Sequence, residues 1–342
     1  KSSKETTEAM AQQQTTPSPT IPSPLPFPKP TTIPPRGPHT HTLILLHGRG
    51  DSSLDFSTEF ITLPLPISPS TSKHPLSTLP QRFPGVKFVF PGAKMGLSTF
   101  SGNMMMPQWF DVVSLDPPYE KQYELQREGL RSSVNYLLKL VKEEAAIVGG
   151  VGKVVVGGLS QGAVVALAAA MSFDAVEAGE ALGGCVAMSG WLAFQKELMA
   201  FAGRERAVGD GCGDGDGDGA VDDTRNQDLE EDGENGWLRS TDPKVAVSAA
   251  NWFRENVLGI PPIKVVDWQQ ITLPKTHLWI AHGALDTHLK PQYGEEGAKT
   301  LEKLGWNVTF MLYDELEHWY MPDELEDMAI YLDVVVGVPE AE

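Results

Sequence analysis

Cysteine is nearly absent from this chain. Two residues in 342, Cys185 and Cys212, are too few for a disulfide framework or a cysteine-rich zinc site, and they fit a reducing compartment. Basic charge is also short. The 27 Lys and Arg against 45 Asp and Glu leave a formal charge of −18, a field that repels phosphate backbones and anionic lipid surfaces. Nucleic acid is therefore a poor candidate partner. No apolar run is long enough to span a bilayer, since the longest, Val154 to Met171, is interrupted by Ser160, Gln161 and glycines. The first residues carry no apolar signal segment, and Lys1 in place of Met leaves room for residues upstream. The expected location is cytoplasmic, with the nucleus also open to it, and no stable membrane span is expected. The eight histidines lack metal-ligand spacing, and no Gly-x-Gly-x-x-Gly turn follows a strand. The run Asp214, Asp216, Asp218 imitates a calcium loop, but Arg225 falls where the bidentate acid belongs. No metal and no cofactor are expected.

What is present is enough chain for a sizeable core. Residues 1–38 hold ten prolines and few large apolar side chains, a composition that cannot offset its ordering entropy. They read as a disordered tail. A second outlier is 201–242, with 13 acidic and 4 basic residues. Its glycines and like charges predict a disordered insertion inside one globular domain over 39–336.

Within that domain, short apolar runs at Thr42–Leu46, Val86–Phe90, Lys153–Val156, Gly184–Met188, His277–Ala281 and Val308–Tyr313 predict buried strands. Helical spacing marks about Tyr119–Val148, Ala163–Met171, Pro291–Leu304 and Pro322–Leu332. Strands alternating with helices predict an α/β fold with a mostly parallel central sheet and helices on both faces. Lys244–Val257 is expected to be helical, and Trp252 and Phe253 suggest that 195–260 packs partly over a pocket as a lid.

The chemistry centres on Gly158-Leu159-Ser160-Gln161-Gly162, a Gly-x-Ser-x-Gly pattern between a predicted strand and a predicted helix. A sharp turn there lifts the Ser160 hydroxyl to the end of the sheet. A serine needs a base to take its proton, and the base needs an orienting carboxylate. In an open sheet such groups gather beyond the carboxyl ends of strands. His318 follows the last predicted strand and Asp286 the one before it, giving the order Ser160, Asp286, His318. His282 and His288 compete with His318, and Asp314 competes with Asp286. The backbone N–H of Gln161 and one from Arg49, in the loop after Thr42–Leu46, are the expected oxyanion donors. Met104-Met105-Met106 with Trp109 and Phe110 is either ordinary core or an adaptable apolar surface for acyl chains.

These residues resemble the phospholipase/carboxylesterase group of α/β-hydrolases that contains the acyl-protein thioesterases. The resemblance covers about 40–194 and 274–335. It rests on Leu46-His47-Gly48-Arg49-Gly50-Asp51, Met106-Pro107-Gln108-Trp109-Phe110-Asp111, Gly157-Gly158-Leu159-Ser160-Gln161-Gly162-Ala163, His282-Gly283-Ala284-Leu285-Asp286, and His318 before an acidic helix. It implies the α/β-hydrolase fold, Ser160 as nucleophile, His318 as base, Asp286 as orienter, and the Arg49 and Gln161 amides as oxyanion hole. It also implies that Trp109 and Met106 bind the acyl part of the substrate. The implied substrate is an acylated protein, with small-molecule carboxylesterase or lysophospholipase activity as the alternative. A chain that kept the fold but lost the chemistry, and acts as a binding protein, is the reading from another class. The Pro-rich tail, the acidic insertion, Glu317 and Trp319 beside His318, and the extra residue in Leu289-Lys290-Pro291 depart from the family pattern.

Overall fold

The computed structural model describes residues 26–66, 77–115, 123–202, 242–265 and 276–341. The first 25 residues of the expected tail, and nearly all of the expected acidic insertion, lie outside the described residues. The elements run β1 (Thr31–Ile33), β2 (His41–Leu46), α1 (Ser53–Thr62), α2 (Leu79–Arg82), β3 (Val86–Phe90), β4 (Lys94–Ser98), β5 (Met104–Gln108), α3 (Tyr123–Val148), β6 (Val154–Leu159), α4 (Gln161–Ser172), α5 (Ala175–Ala178), β7 (Gly184–Met188), α6 (Gln195–Ala202), α7 (Pro243–Phe253), β8 (His277–Gly283), α8 (Pro291–Lys303), β9 (Asn307–Tyr313) and α9 (Pro322–Tyr331).

Seven strands form one sheet in the order β1-β3-β2-β6-β7-β8-β9. Only β1 is antiparallel to its neighbour, and every other pairing is parallel. Strands β2, β6 and β7 are buried along their whole length. Both of their faces must therefore be apolar, which is why they read as continuous hydrophobic runs. Alternate side chains feed opposite cores. Leu43 and Leu45 pack with Phe56 and Phe60 of α1 and with Leu325 and Met328 of α9. Ile44 and Leu46 pack with the α3, α4 and α7 side, including Leu130, Val134, Val165 and Phe253. Helices thus cover both faces, the architecture of the α/β-hydrolase fold.

Strand order also determines where the site lies. From β2 the chain first builds β3 on one side, then crosses to place β6 on the other. The carboxyl ends of β2 and β6 therefore diverge into connections that leave in opposite directions, and the crevice between them is where α/β sheets take ligands.

Three expectations need correction. The tail does not run unbroken to residue 38. Thr31–Ile33 pairs with β3, and Phe27 stacks on Tyr136 at 4.0 Å with the Lys94 ammonium 4.3 Å from its centroid. A three-residue edge strand between prolines has no periodicity to betray it. At the other end the domain extends past 336, because Val338 is fully buried and Glu340 pairs with Arg82 at 2.5 Å. Finally, Trp252 and Phe253 do not form a lid. Phe253 is fully buried against Phe194, and Trp252 lies 6.2 Å from the same ring. Helix α7 is a layer of the core.

One core feature makes stability depend on pH. Glu324, in the first turn of α9, is fully buried, and neither carboxyl oxygen has a well-formed hydrogen bond. Burial, only partly offset by the backbone N–H of Met321 and reinforced by the charge of Asp327, pushes its pKa from 4.5 up to about 8. The unfolded chain releases this proton near the lower value, so folding must take it up again. Stability from this group is therefore lost as pH rises between the two values and is level above them. Glu324→Gln should raise the thermal midpoint, with a gain over wild type that grows from pH 5 to pH 8. Thermal unfolding across that range checks it; a gain independent of pH would contradict it.

Candidate active site

The turn from β6 into α4 is flanked by two glycines, Gly158 and Gly162, because nothing larger fits. A Cβ on Gly162 would lie 2.3 Å from the Leu46 carbonyl oxygen, and one on Gly158 would lie 2.6 Å from the Gly162 backbone. This close approach lets α4, all twelve of whose residues are buried, start directly against the end of β2. The turn between them holds Ser160 at φ 56°, ψ −119°. Such a conformation costs a non-glycine residue about 1–3 kcal/mol and persists only where the surroundings enforce it. Here the Ser160 amide donates to the Met188 carbonyl of β7 at 2.9 Å.

Three strand ends then converge. His318, in the connection after β9, has Nε2 3.0 Å from Ser160 Oγ, across 158 residues of chain. Its Nδ1 lies 2.6 Å from Oδ2 of Asp286, which follows β8. Asp286 Oδ1 accepts from the backbone N–H groups of His288 at 2.9 Å and Leu289 at 2.8 Å. Burial alone would raise the Asp286 pKa, but hydrogen bonds from His282, His318 and the Leu289 amide outweigh it and hold the group well below the usual carboxylate range. Asp286 is therefore a fixed anion behind His318. The rival acid Asp314 is exposed on the connection after β9. The rival His282 reaches the same carboxylate oxygen, its Nε2 3.1 Å from Oδ2. The His288 ring is 5.5 Å from the His318 ring.

The loop after β2 passes over the serine. A Cβ on Gly48 would sit 3.6 Å from Ser160 Cβ. His47 is fully buried. Its Nδ1 donates to the Gly48 carbonyl at 2.7 Å and its Nε2 accepts from the Ala93 amide at 3.1 Å, which fixes the tautomer. Burial lowers its pKa. Arg49 turns its side chain away from the loop, onto the β4–β5 hairpin. Its Nη1 donates to Ser101 Oγ at 2.7 Å, Ser98 Oγ at 3.2 Å and Met106 Sδ at 3.4 Å, and its guanidinium covers the Phe100 ring. The Gly50 amide bonds to the Pro107 carbonyl at 2.8 Å. Met106, expected at the acyl subsite, is thus half-buried against the arginine that anchors this loop.

Trp109, expected at the acyl subsite, packs beside the loop after β2. It is buried, its indole N–H donates to the His47 carbonyl at 2.8 Å, and its own amide donates to Gln161 Oε1 at 3.1 Å. Gln161 Nε2 in turn donates to the Phe110 carbonyl at 2.9 Å. The Gln161 side chain therefore ties the Ser160 turn to the segment after β5, and Trp109 ties that segment to the loop after β2. Sequence reading missed both links. The only signal for them is a large polar residue opening an otherwise apolar helix. Among the described residues no group of three or more His, Cys, Asp or Glu is placed to hold a metal ion, and no helix is long and apolar enough to cross a membrane.

Comparison with known proteins agrees with this architecture. Acyl-protein thioesterase 1 of Saccharomyces cerevisiae is 31% identical over 156 residues, 45% of this chain and 59% of that protein. Its counterpart in Yarrowia lipolytica is 31% identical over 168 residues, 64% of its length. The match thus spans about three-fifths of these curated relatives. Acyl-protein thioesterase 1 of Emericella nidulans aligns over 90% of this chain and 95% of its own, at 24% identity. The crystal structure of Zea mays acyl-protein thioesterase 2 shares the fold, with a TM-score of 0.56 at 22% identity over 90% of this chain and 99% of that one. The family model for Phospholipase/Carboxylesterase matches residues 28–208, just over half of the chain, and the chain belongs to that family.

Proposed function

We propose that this chain is a serine hydrolase that cleaves acyl thioesters, and the matching esters, with acylated protein cysteines as its principal substrates. The observation that carries the reading is the unbroken relay from Ser160 Oγ through both ring nitrogens of His318 to Asp286 Oδ2, at 3.0 and 2.6 Å. The relatives named acyl-protein thioesterase support the choice of substrate.

In this reading His318 Nε2 takes the Ser160 proton as Oγ attacks the acyl carbon. Asp286 keeps the other ring nitrogen protonated and stabilises the imidazolium that forms. The carbonyl oxygen becomes an oxyanion between the backbone amides of Gln161, at the start of α4, and Arg49. The tetrahedral adduct collapses as the carbon–sulfur bond breaks, and the leaving thiolate is protonated from His318. Water then loses its proton to His318 and attacks the acyl-serine carbon; this second adduct collapses as the bond to Ser160 Oγ breaks, His318 returns the proton to Oγ, and the carboxylic acid leaves. No step needs a cofactor. A cytoplasmic location, with the nucleus as the alternative, is supported by the low cysteine content, two in 342 residues.

Two predictions test the reading. With matched acyl-cysteine peptides and p-nitrophenyl esters, Ser160→Ala and His318→Ala should each lower kcat by about 10³-fold or more. Efficient turnover of the thioester peptide by wild type is expected. Turnover of the small ester alone would shift the assignment to a carboxylesterase, and residual full activity in Ser160→Ala would end it. Trp109→Phe removes the donor on the His47 carbonyl, so it should lower kcat by about tenfold with a smaller effect on KM, because a misplaced oxyanion donor is felt mainly in the transition state.

A further inference from the structure

The reacting atoms account for one histidine on Asp286, yet the carboxylate carries two. His282, at the end of β8, is fully buried, and its Nε2 faces only acceptors, Asp286 Oδ2 at 3.1 Å and the Leu289 carbonyl at 3.0 Å. Nε2 must therefore carry a proton and divide it between them. The other ring nitrogen, Nδ1, is buried without a partner. The backbone of α8 closes directly against it, since a Cβ on Gly294 would lie 2.6 Å from Nδ1. A ring flip would put Cε1 where Nε2 now sits and take the donor off both acceptors, so the hydrogen bonds hold one orientation.

We propose that His282 is a positioning residue that shares Asp286 Oδ2 with His318 and so sets how tightly the carboxylate holds the His318 proton. The proposal rests on the reading of His318 as the base and Asp286 as its partner. Hydrogen bonds to an anion each draw part of its charge. Oδ1 is occupied by two backbone N–H groups, from His288 and Leu289, so only Oδ2 interacts with the rings. While His282 donates to that oxygen, His318 receives less than the full field of the carboxylate. Without the donor, the charge is concentrated on His318, and its imidazolium form is favoured. Other titratable groups beside His318 include His288, whose ring lies 5.5 Å away, and the exposed chain neighbour Glu317, and both are left in place by the test. The Leu289 bond adds a mechanical role, closing the turn that follows Asp286.

The test is the pH profile of kcat/KM on an acyl-cysteine peptide for wild type, His282→Leu, His282→Gln and Gly294→Ala. His282→Leu removes the donor. It should move the acid limb to higher pH by about half a unit or more and lower kcat by about tenfold with little change in KM. His282→Gln restores an N–H near the position of Nε2 and should return the limb toward wild type. Gly294→Ala leaves His282 intact but drives a methyl group into its ring, and should move the limb in the same direction as the leucine variant. If His282→Leu fails to fold, the glycine and glutamine variants decide the question. An acid limb fixed in both His282→Leu and Gly294→Ala overturns the proposal, even if activity falls. Loss of activity in Ser160→Ala, measured alongside, separates that result from a failure of the serine mechanism itself.

Discussion

A carboxylate buried beside an imidazole stays charged only if protein donors replace its lost water, and the rest of this site depends on that replacement at Asp286. Four N–H groups supply it. Two come from the turn that carries the residue, one from the end of β8, and one from the connection after β9. Their combined effect outweighs burial and keeps the group ionised. The anion fixes the orientation of His318, and His318 gives the Ser160 hydroxyl an acceptor. If the donors on Asp286 are weakened, the strained backbone at Ser160 no longer serves a purpose.

The sheet makes this arrangement possible. Parallel pairing of β2, β6, β7, β8 and β9 brings their carboxyl ends to one rim, so groups separated by more than a hundred residues meet without long loops. The reversal of strand order at β2 and β6 opens the crevice at that rim. Two glycines then let α4 begin against β2. A larger residue at 162 would separate the helix from the strand and carry Ser160 away from the loop above it. The same helix carries Gln161, whose side chain ties the turn to Trp109 and through it to His47. The fold and the site are therefore held together by the same few contacts.

The parts readable from sequence were those whose signals are local. Fully buried parallel strands are apolar throughout, so Val86–Phe90 and Gly184–Met188 fall at the predicted residues. The serine turn announces itself by two glycines and its flanking elements. Asp286 and His318 were legible because each follows a strand end, a rule of topology rather than of spacing. The remaining features arise from contacts distant in sequence. Nothing near Thr31 predicts its pairing with β3, and nothing near Trp109 shows that its indole will bond to a carbonyl 62 residues earlier. For the same reason His282 read as a competitor for the catalytic role, while the folded chain puts it on the same carboxylate oxygen.

The central claim is that one hydroxyl, one imidazole and two backbone amides act together on a single acyl carbon. A crystal structure of the chain after reaction with an alkyl fluorophosphonate tests it most directly, because the tetrahedral phosphorus stands in for the transient adduct. The account predicts phosphorus bonded to Ser160 Oγ, with its negative oxygen within hydrogen-bond distance of the Arg49 and Gln161 amides and His318 Nε2 beside the ester oxygen. Phosphorus on another residue, or an oxygen turned away from both amides, would contradict it.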